Sequence, residues 1–119
     1  MTSPEHYDYC GLYLRGLSED AAVELAAHAT GAPRDGSLLH IDGIDIEILR
    51  NPDFTHDAAD FPTWPVKIEI EKGHATTRQV VAAVSEILTS AWQAGYDAVA
   101  ACDYEDELPE QGGYPRYRN

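Results

Sequence analysis

The chain has 119 residues, 44% of them hydrophobic and 24% charged, with 21 acids against 8 bases and a formal net charge of −13. That length and composition suit one domain with a core of its own and exclude wholesale disorder. The charge disfavours nucleic acid and anionic membrane surfaces as partners and favours basic ones, although solubility alone also accounts for an acidic surface.

Residues 1–6 are a polar leader, expected to fray. Residues 7–17 alternate, with Cys10, Leu12 and Leu14 on one side and Tyr9, Gly11, Tyr13 and Arg15 on the other, which predicts a strand with one buried face. Ser18 then caps a helix over residues 19–30, with Glu19 and Asp20 in its first turn and Gly31 as its left-handed stop. Asp42 and Gly43 supply the positive φ angles of a type I′ turn between strands at residues 37–41 and 44–50.

Residues 51–65 form a long loop containing Pro52, Pro62 and Pro65 together with Phe54, His56, Asp57, Asp60, Phe61 and Trp64. A strand of alternating Val66, Ile68 and Ile70 follows. Thr76 or Thr77 caps a second helix with an apolar stripe from Val80 to Trp92, ended by Gly95. The last strand covers residues 96–103 and leads into an acidic loop at 104–110. In that stretch Asp97, Asp103, Glu105, Asp106, Glu107 and Glu110 have no basic neighbour in the sequence. Residues 112–119 are a slightly basic tail, expected to be mobile, so the ordered core of the single domain is placed at about 7–110.

The order β-α-β-β-α-β predicts an α+β, ferredoxin-like split βαβ arrangement. Two helices lie on one face of an antiparallel sheet, and the second strand is extended into a hairpin. The first and third long strands are expected at the centre, parallel to each other, with the last strand antiparallel to the first and Cys10 within reach of Cys102. Both cysteines are expected to be reduced core thiols. The sheet face without helices then carries Tyr9, Tyr13, Arg15, Asp45, Glu47, Lys67, Glu69 and Glu71. That pattern fits a binding surface, and it equally fits a solvated face or a homodimer contact.

No nucleophile elbow, phosphate loop, dinucleotide fingerprint or zinc-protease motif occurs. The five histidines lack metal-ligand spacing. The carboxylates at 103–107 suit a hard cation in type but lack the alternation and mid-loop glycine of an EF-hand. No catalytic residue, metal or cofactor is expected. Exposed tyrosines on such a sheet also occur in RNA-recognition modules, but those need a basic footprint that is missing here. No apolar run approaches the roughly 18 residues of a membrane span, and no leader peptide is evident, so a cytoplasmic location is expected.

Three stretches, Asn51–Asp53, Asp60–Glu71 and Tyr96–Pro109, resemble a group of small acidic actinobacterial proteins associated with toxin-immunity gene pairs. The resemblance implies a cytoplasmic protein that neutralises a partner by binding it, and it brings no catalytic residues with it. Residue chemistry and resemblance together give the expectation of a non-enzymatic inhibitor of a basic protein. Its contacts are expected at Asp103, Glu105, Asp106 and Glu107, then at Tyr13, Trp64, Asp57 and Asp60. Two rival expectations stand beside it. One is a homo-oligomeric small-molecule sensor or enzyme whose cleft is lined by Trp64, Tyr9, Tyr13 and His56. The other is a housekeeping domain whose charge serves solubility.

Overall fold

A computed structural model of the chain describes residues 7–55 and 60–117. Expectations for the leader, His56 and Asp57 fall outside these residues. The elements in chain order are β1 (Tyr9–Arg15), α1 (Glu19–Thr30), β2 (Arg34–Asp35), β3 (Leu38–Ile41), β4 (Ile44–Arg50), β5 (Val66–Glu71), α2 (Thr77–Gln93) and β6 (Asp97–Ala101). Short 3-10 turns occupy Phe61–Thr63, Glu105–Glu107 and parts of Pro109–Tyr117. The six strands form one antiparallel sheet in the order β2-β3-β4-β5-β1-β6, giving an α+β fold.

Local chemistry sets the element boundaries. The Ser18 hydroxyl accepts from the Ala21 N–H at 3.1 Å, and Gly31 closes α1 at φ 79°. Thr76 and Gln79 cap α2 reciprocally, each side chain accepting from the other's backbone N–H. Asp42 and Gly43, at φ 53° and 87°, turn β3 into β4 and fix the pairing Ile41↔Ile44 and Leu38↔Glu47. Cys10, Leu12, Leu14, Ile44, Ile46, Ile48, Val66, Ile68, Ile70, Ala98 and Ala100 alternate onto one face. There they join Ala22, Val23 and Ala26 of α1 and Val80, Val84, Ile87 and Leu88 of α2 in a continuous core. Both helices therefore cover the same side, as the alternation predicts.

Three features differ from the sequence expectation. First, the two central long strands, β1 and β5, are antiparallel rather than parallel. Helix α1 returns the chain so that β4 runs in the direction of β1 two strand spacings away, leaving a gap one strand wide. The loop after β4 reverses it again, and β5 enters the gap antiparallel to both neighbours. Second, the sheet gains β2, whose Arg34 is ion-paired with Asp20 and Glu24 of α1 and so is held at the sheet's end. Third, residues 109–117 are docked rather than free. The Ala98 N–H donates to the Tyr117 hydroxyl at 3.0 Å, and the Arg116 guanidinium lies 4.4 Å from the Trp92 ring. The segment thereby covers the outer edge of β6, which would otherwise present unpaired backbone groups.

One buried polar side chain organises the loop between β4 and β5. Asn51, 2% exposed, donates through Nδ2 to the carbonyls of Pro62 (2.8 Å) and Trp64 (2.7 Å), and its Oδ1 accepts from the Asp53 N–H. Two prolines near these carbonyls cannot donate, so the side chain supplies what the backbone lacks. Asn51→Asp keeps the size but loses both donations. It is expected to lower unfolding free energy by about 1–3 kcal/mol, read as a lower urea midpoint at unchanged slope.

Candidate functional site

The sheet face opposite the helices is divided in two. At the β1–β6 end it is covered. Phe61 lies 5.5 Å from Tyr13, 5.2 Å from Tyr114 and 6.5 Å from Trp64, and Tyr117 stands edge-on to Trp64 at 5.0 Å. Arg15 lies over the Trp64 ring at 4.5 Å and pairs with Asp97 at 2.9 Å. Beneath this aromatic layer Val99 and Trp64 are fully buried yet stand outside the main core, so they form a second, smaller one.

At the β3–β4–β5 end the face is open. Register opposes Asp45 to Glu71 and Glu47 to Glu69 across β4 and β5, and His40 to Asp45 and Leu38 to Glu47 across β3 and β4. With Asp35 and Pro33 these side chains line a groove of about 660 Å³. Leu38, which lines it from β3, is 52% exposed, the largest exposed apolar side chain apart from Tyr9 among the described residues. Directly opposed like charges destabilise an antiparallel pair, so this arrangement costs the fold something.

Charge on the groove's inner side is fixed by a small network. The Tyr9 hydroxyl donates to Glu69 Oε2 at 2.9 Å, and Lys67 Nζ lies 3.8 Å from the same carboxylate and 5.4 Å from the Tyr13 ring. Burial, reinforced by Glu69, raises the Tyr9 phenol above its ordinary value. For Lys67 burial acts downward, but Tyr9, Tyr13 and Glu69 outweigh it and the ammonium is raised overall. Gly11 leaves the space these side chains occupy, since a Cβ there would stand 3.4 Å from both Lys67 Cε and the Tyr9 oxygen. His40 Nδ1 lies 2.7 Å from Asp45 Oδ1. Glu47, Glu71 and Asp35 have no basic partner among the described residues.

The residues singled out in the sequence are distributed unevenly. Trp64 is 1% exposed and cannot touch a partner, because the aromatic layer and Arg15 enclose it. Tyr13 is half-buried between Phe61 and Lys67. The acidic stretch is largely used within the chain. Asp97 binds Arg15, Glu110 binds Arg116, Glu105 accepts from the Cys102 N–H at 3.2 Å, and Glu107 accepts from the Tyr7 hydroxyl at 2.6 Å. Asp103, Asp106 and Asp60 remain exposed. The expectation that these acids face no base fails for Asp97 and Glu110, because sheet pairing and the docked tail bring in arginines distant in sequence.

Leu38, His40 and Asp35 were not singled out from the sequence. The two-residue turn at Asp42-Gly43 fixes the register of the hairpin, which already places Leu38 and His40 beside Glu47 and Asp45. Among the described residues no group of three or more His, Cys, Asp or Glu side chains is arranged to hold a metal ion, and no helix is long and apolar enough to cross a membrane. Compared with protein-family models, curated proteins and solved structures, the chain shows no match.

Proposed function

We propose that this chain is a non-enzymatic, cytoplasmic binding protein built on a ferredoxin-like split βαβ core with an added β2–β3 hairpin. Its acidic groove takes a Lys- or Arg-rich segment of a basic protein, and it acts as an immunity- or antitoxin-type inhibitor. The observation carrying this reading is the row of opposed carboxylates Asp45, Glu47, Glu69 and Glu71 around an exposed Leu38, with Glu47 and Glu71 unneutralised among the described residues. Cations arriving there relieve a repulsion that the fold otherwise sustains. An apolar side chain on Leu38 adds contact that outlasts the encounter. A second copy of the chain is a poor occupant, because it sets carboxylates against carboxylates. Of the side chains expected to line a small-molecule cleft, Trp64 is buried, Tyr13 is half-buried against Phe61, and Tyr9 stays exposed on the open side.

The test uses an extended peptide of alternating Lys and Val, followed by amide chemical shifts. Expected perturbations centre on Leu38, His40, Asp45, Glu47, Glu69 and Glu71, weaken with salt, and vanish in the double variant Glu47→Lys, Glu71→Lys. Shifts scattered equally over α1 and the loop at 103–107 would overturn the groove as the site. Capture from cells with this variant as reference extends the test. A basic protein retained by the native chain and lost by the variant is the expected partner, and equal recovery by both argues against the proposal.

A further inference from the structure

The turn that follows β6 holds chemistry that the binding surface does not use. Strands β1 and β6 pair Gly11 with Ala101 and Leu12 with Ala100, and continuing that register one residue beyond the end of β6 brings Cys102 to the position across from Cys10. Both are free thiols, Cys10 fully buried and Cys102 half-buried. Directly opposed residues of an antiparallel pair have Cα atoms about 4.5–5.5 Å apart, inside the roughly 4.4–6.8 Å that a disulfide spans. The Tyr104 hydroxyl, also buried, lies beside both sulfurs and meets no group in hydrogen-bond geometry among the described residues. Tyr7 stacks on Tyr104 at 5.3 Å and closes the cluster from outside.

We infer that Cys10 and Cys102 form a reversible cross-strand disulfide by exchange with a low-molecular-weight disulfide, with Cys102 as the entry point. The geometry sets the order of events, since only Cys102 is open to solvent. Cys102 loses its proton to water and its thiolate attacks one sulfur of the small disulfide. That S–S bond breaks, one small thiolate leaves and takes up a proton, and a mixed disulfide remains on Cys102. Cys10 then gives up its proton and attacks the Cys102 sulfur, the second small thiol departs protonated, and the internal bond is made. Two electrons pass from the cysteine pair to the small disulfide, and two thiols are released for two consumed.

The electrostatics agree with this sequence. Proximity to the Cys10 thiol holds Cys102 below the usual thiol range, while that proximity and burial push Cys10 well above it. Attack by Cys102 is thereby favoured and closure by Cys10 slowed. The product ties the turn at 103–108 to β1 at the end of an existing ladder, next to the Gly11↔Ala101 pair.

The folded full-length chain is incubated with oxidised glutathione and followed by intact mass. The native protein is expected to gain one glutathione transiently, then lose it and settle two hydrogen masses below the reduced chain. Peptide mapping joins Cys10 to Cys102, and dithiothreitol restores both thiols. Cys10→Ser, or Cys10→Ala should serine not fold, is expected to keep one glutathione on Cys102, and Cys102→Ser to stay unmodified while folded. A native chain that retains its glutathione as the Cys10 variant does, stays reduced throughout, or is bridged between molecules overturns the inference.

Discussion

Trp64→Ala is expected to lower unfolding free energy by about 3–5 kcal/mol, the range for removing a large buried aromatic. Trp64 holds the smaller core together. Tyr117 stands on it at 5.0 Å, Arg15 covers it at 4.5 Å, and Phe61 meets it edge-on at 6.5 Å. Its indole N–H has no hydrogen-bond partner among the described residues, so the loss is one of packing rather than of a hydrogen bond. Trp64→Phe should therefore retain a substantial part of the stability. Urea unfolding decides it: the alanine variant should show the larger fall in midpoint at an unchanged slope. A fall no larger than that of an ordinary surface substitution, within about 0.5 kcal/mol, would show that Trp64 does not anchor this end of the sheet.

Trp64 also shows where sequence reading stops. Every regular element except β2 is visible in the chain, because each rests on local signals. Ser18 and Thr76 cap helices, Gly31 ends one, Asp42-Gly43 turns a hairpin, and Cys10, Leu12 and Leu14 alternate. What depends on contacts between distant segments is not visible. A long loop rich in prolines and aromatics reads equally as a partner site or as packed by its own aromatics, and the arrival of Tyr114 and Tyr117 from the far end of the chain to complete that packing is what sequence does not show. The acids of the last third read as unpaired because Arg15, their partner at Asp97, lies 82 positions away in sequence. The groove was half legible, since β4 and β5 display Asp45, Glu47, Glu69 and Glu71 by alternation. Its outer wall at Leu38 and His40 follows only once hairpin register is drawn.

The distribution of charge acquires a different meaning from its total. A net −13 spread evenly over a surface serves solubility. Here arginines at positions 15, 34 and 116 neutralise acids at the sheet's two ends. At the open groove Lys67 stands behind Glu69 and leaves Glu47 and Glu71 unanswered among the described residues. Stability alone would not select opposed carboxylates at paired positions. Under the proposed reading, a basic ligand offsets that repulsion beside the exposed Leu38.

Docking of the C-terminal segment makes a second large prediction, Gly113→Ala. Residues 110–113 all have positive φ, and Gly113 sits at φ 98°. A Cβ there would lie 2.8 Å from both the Ala98 carbonyl oxygen and Trp92 Cζ2. The carbonyl belongs to the β6 backbone and cannot swing aside. The indole is held by its own N–H donation to the same oxygen at 3.0 Å and by Arg116 stacked above it. The methyl group therefore meets a left-handed backbone penalty of about 1–2 kcal/mol and a packing clash of about 1–3 kcal/mol. Gly31 separates the two terms, because it also has positive φ, at 79°, but an added Cβ there meets no non-neighbouring heavy atom within 4 Å among the described residues. Gly31→Ala should show the backbone penalty alone, and Gly113→Ala clearly more. The stiffer test is location: hydrogen exchange should rise in β6 for Gly113→Ala and remain unchanged in β3 and β4. Equal losses for the two variants, or no rise in β6, would mean that the segment does not clamp that edge.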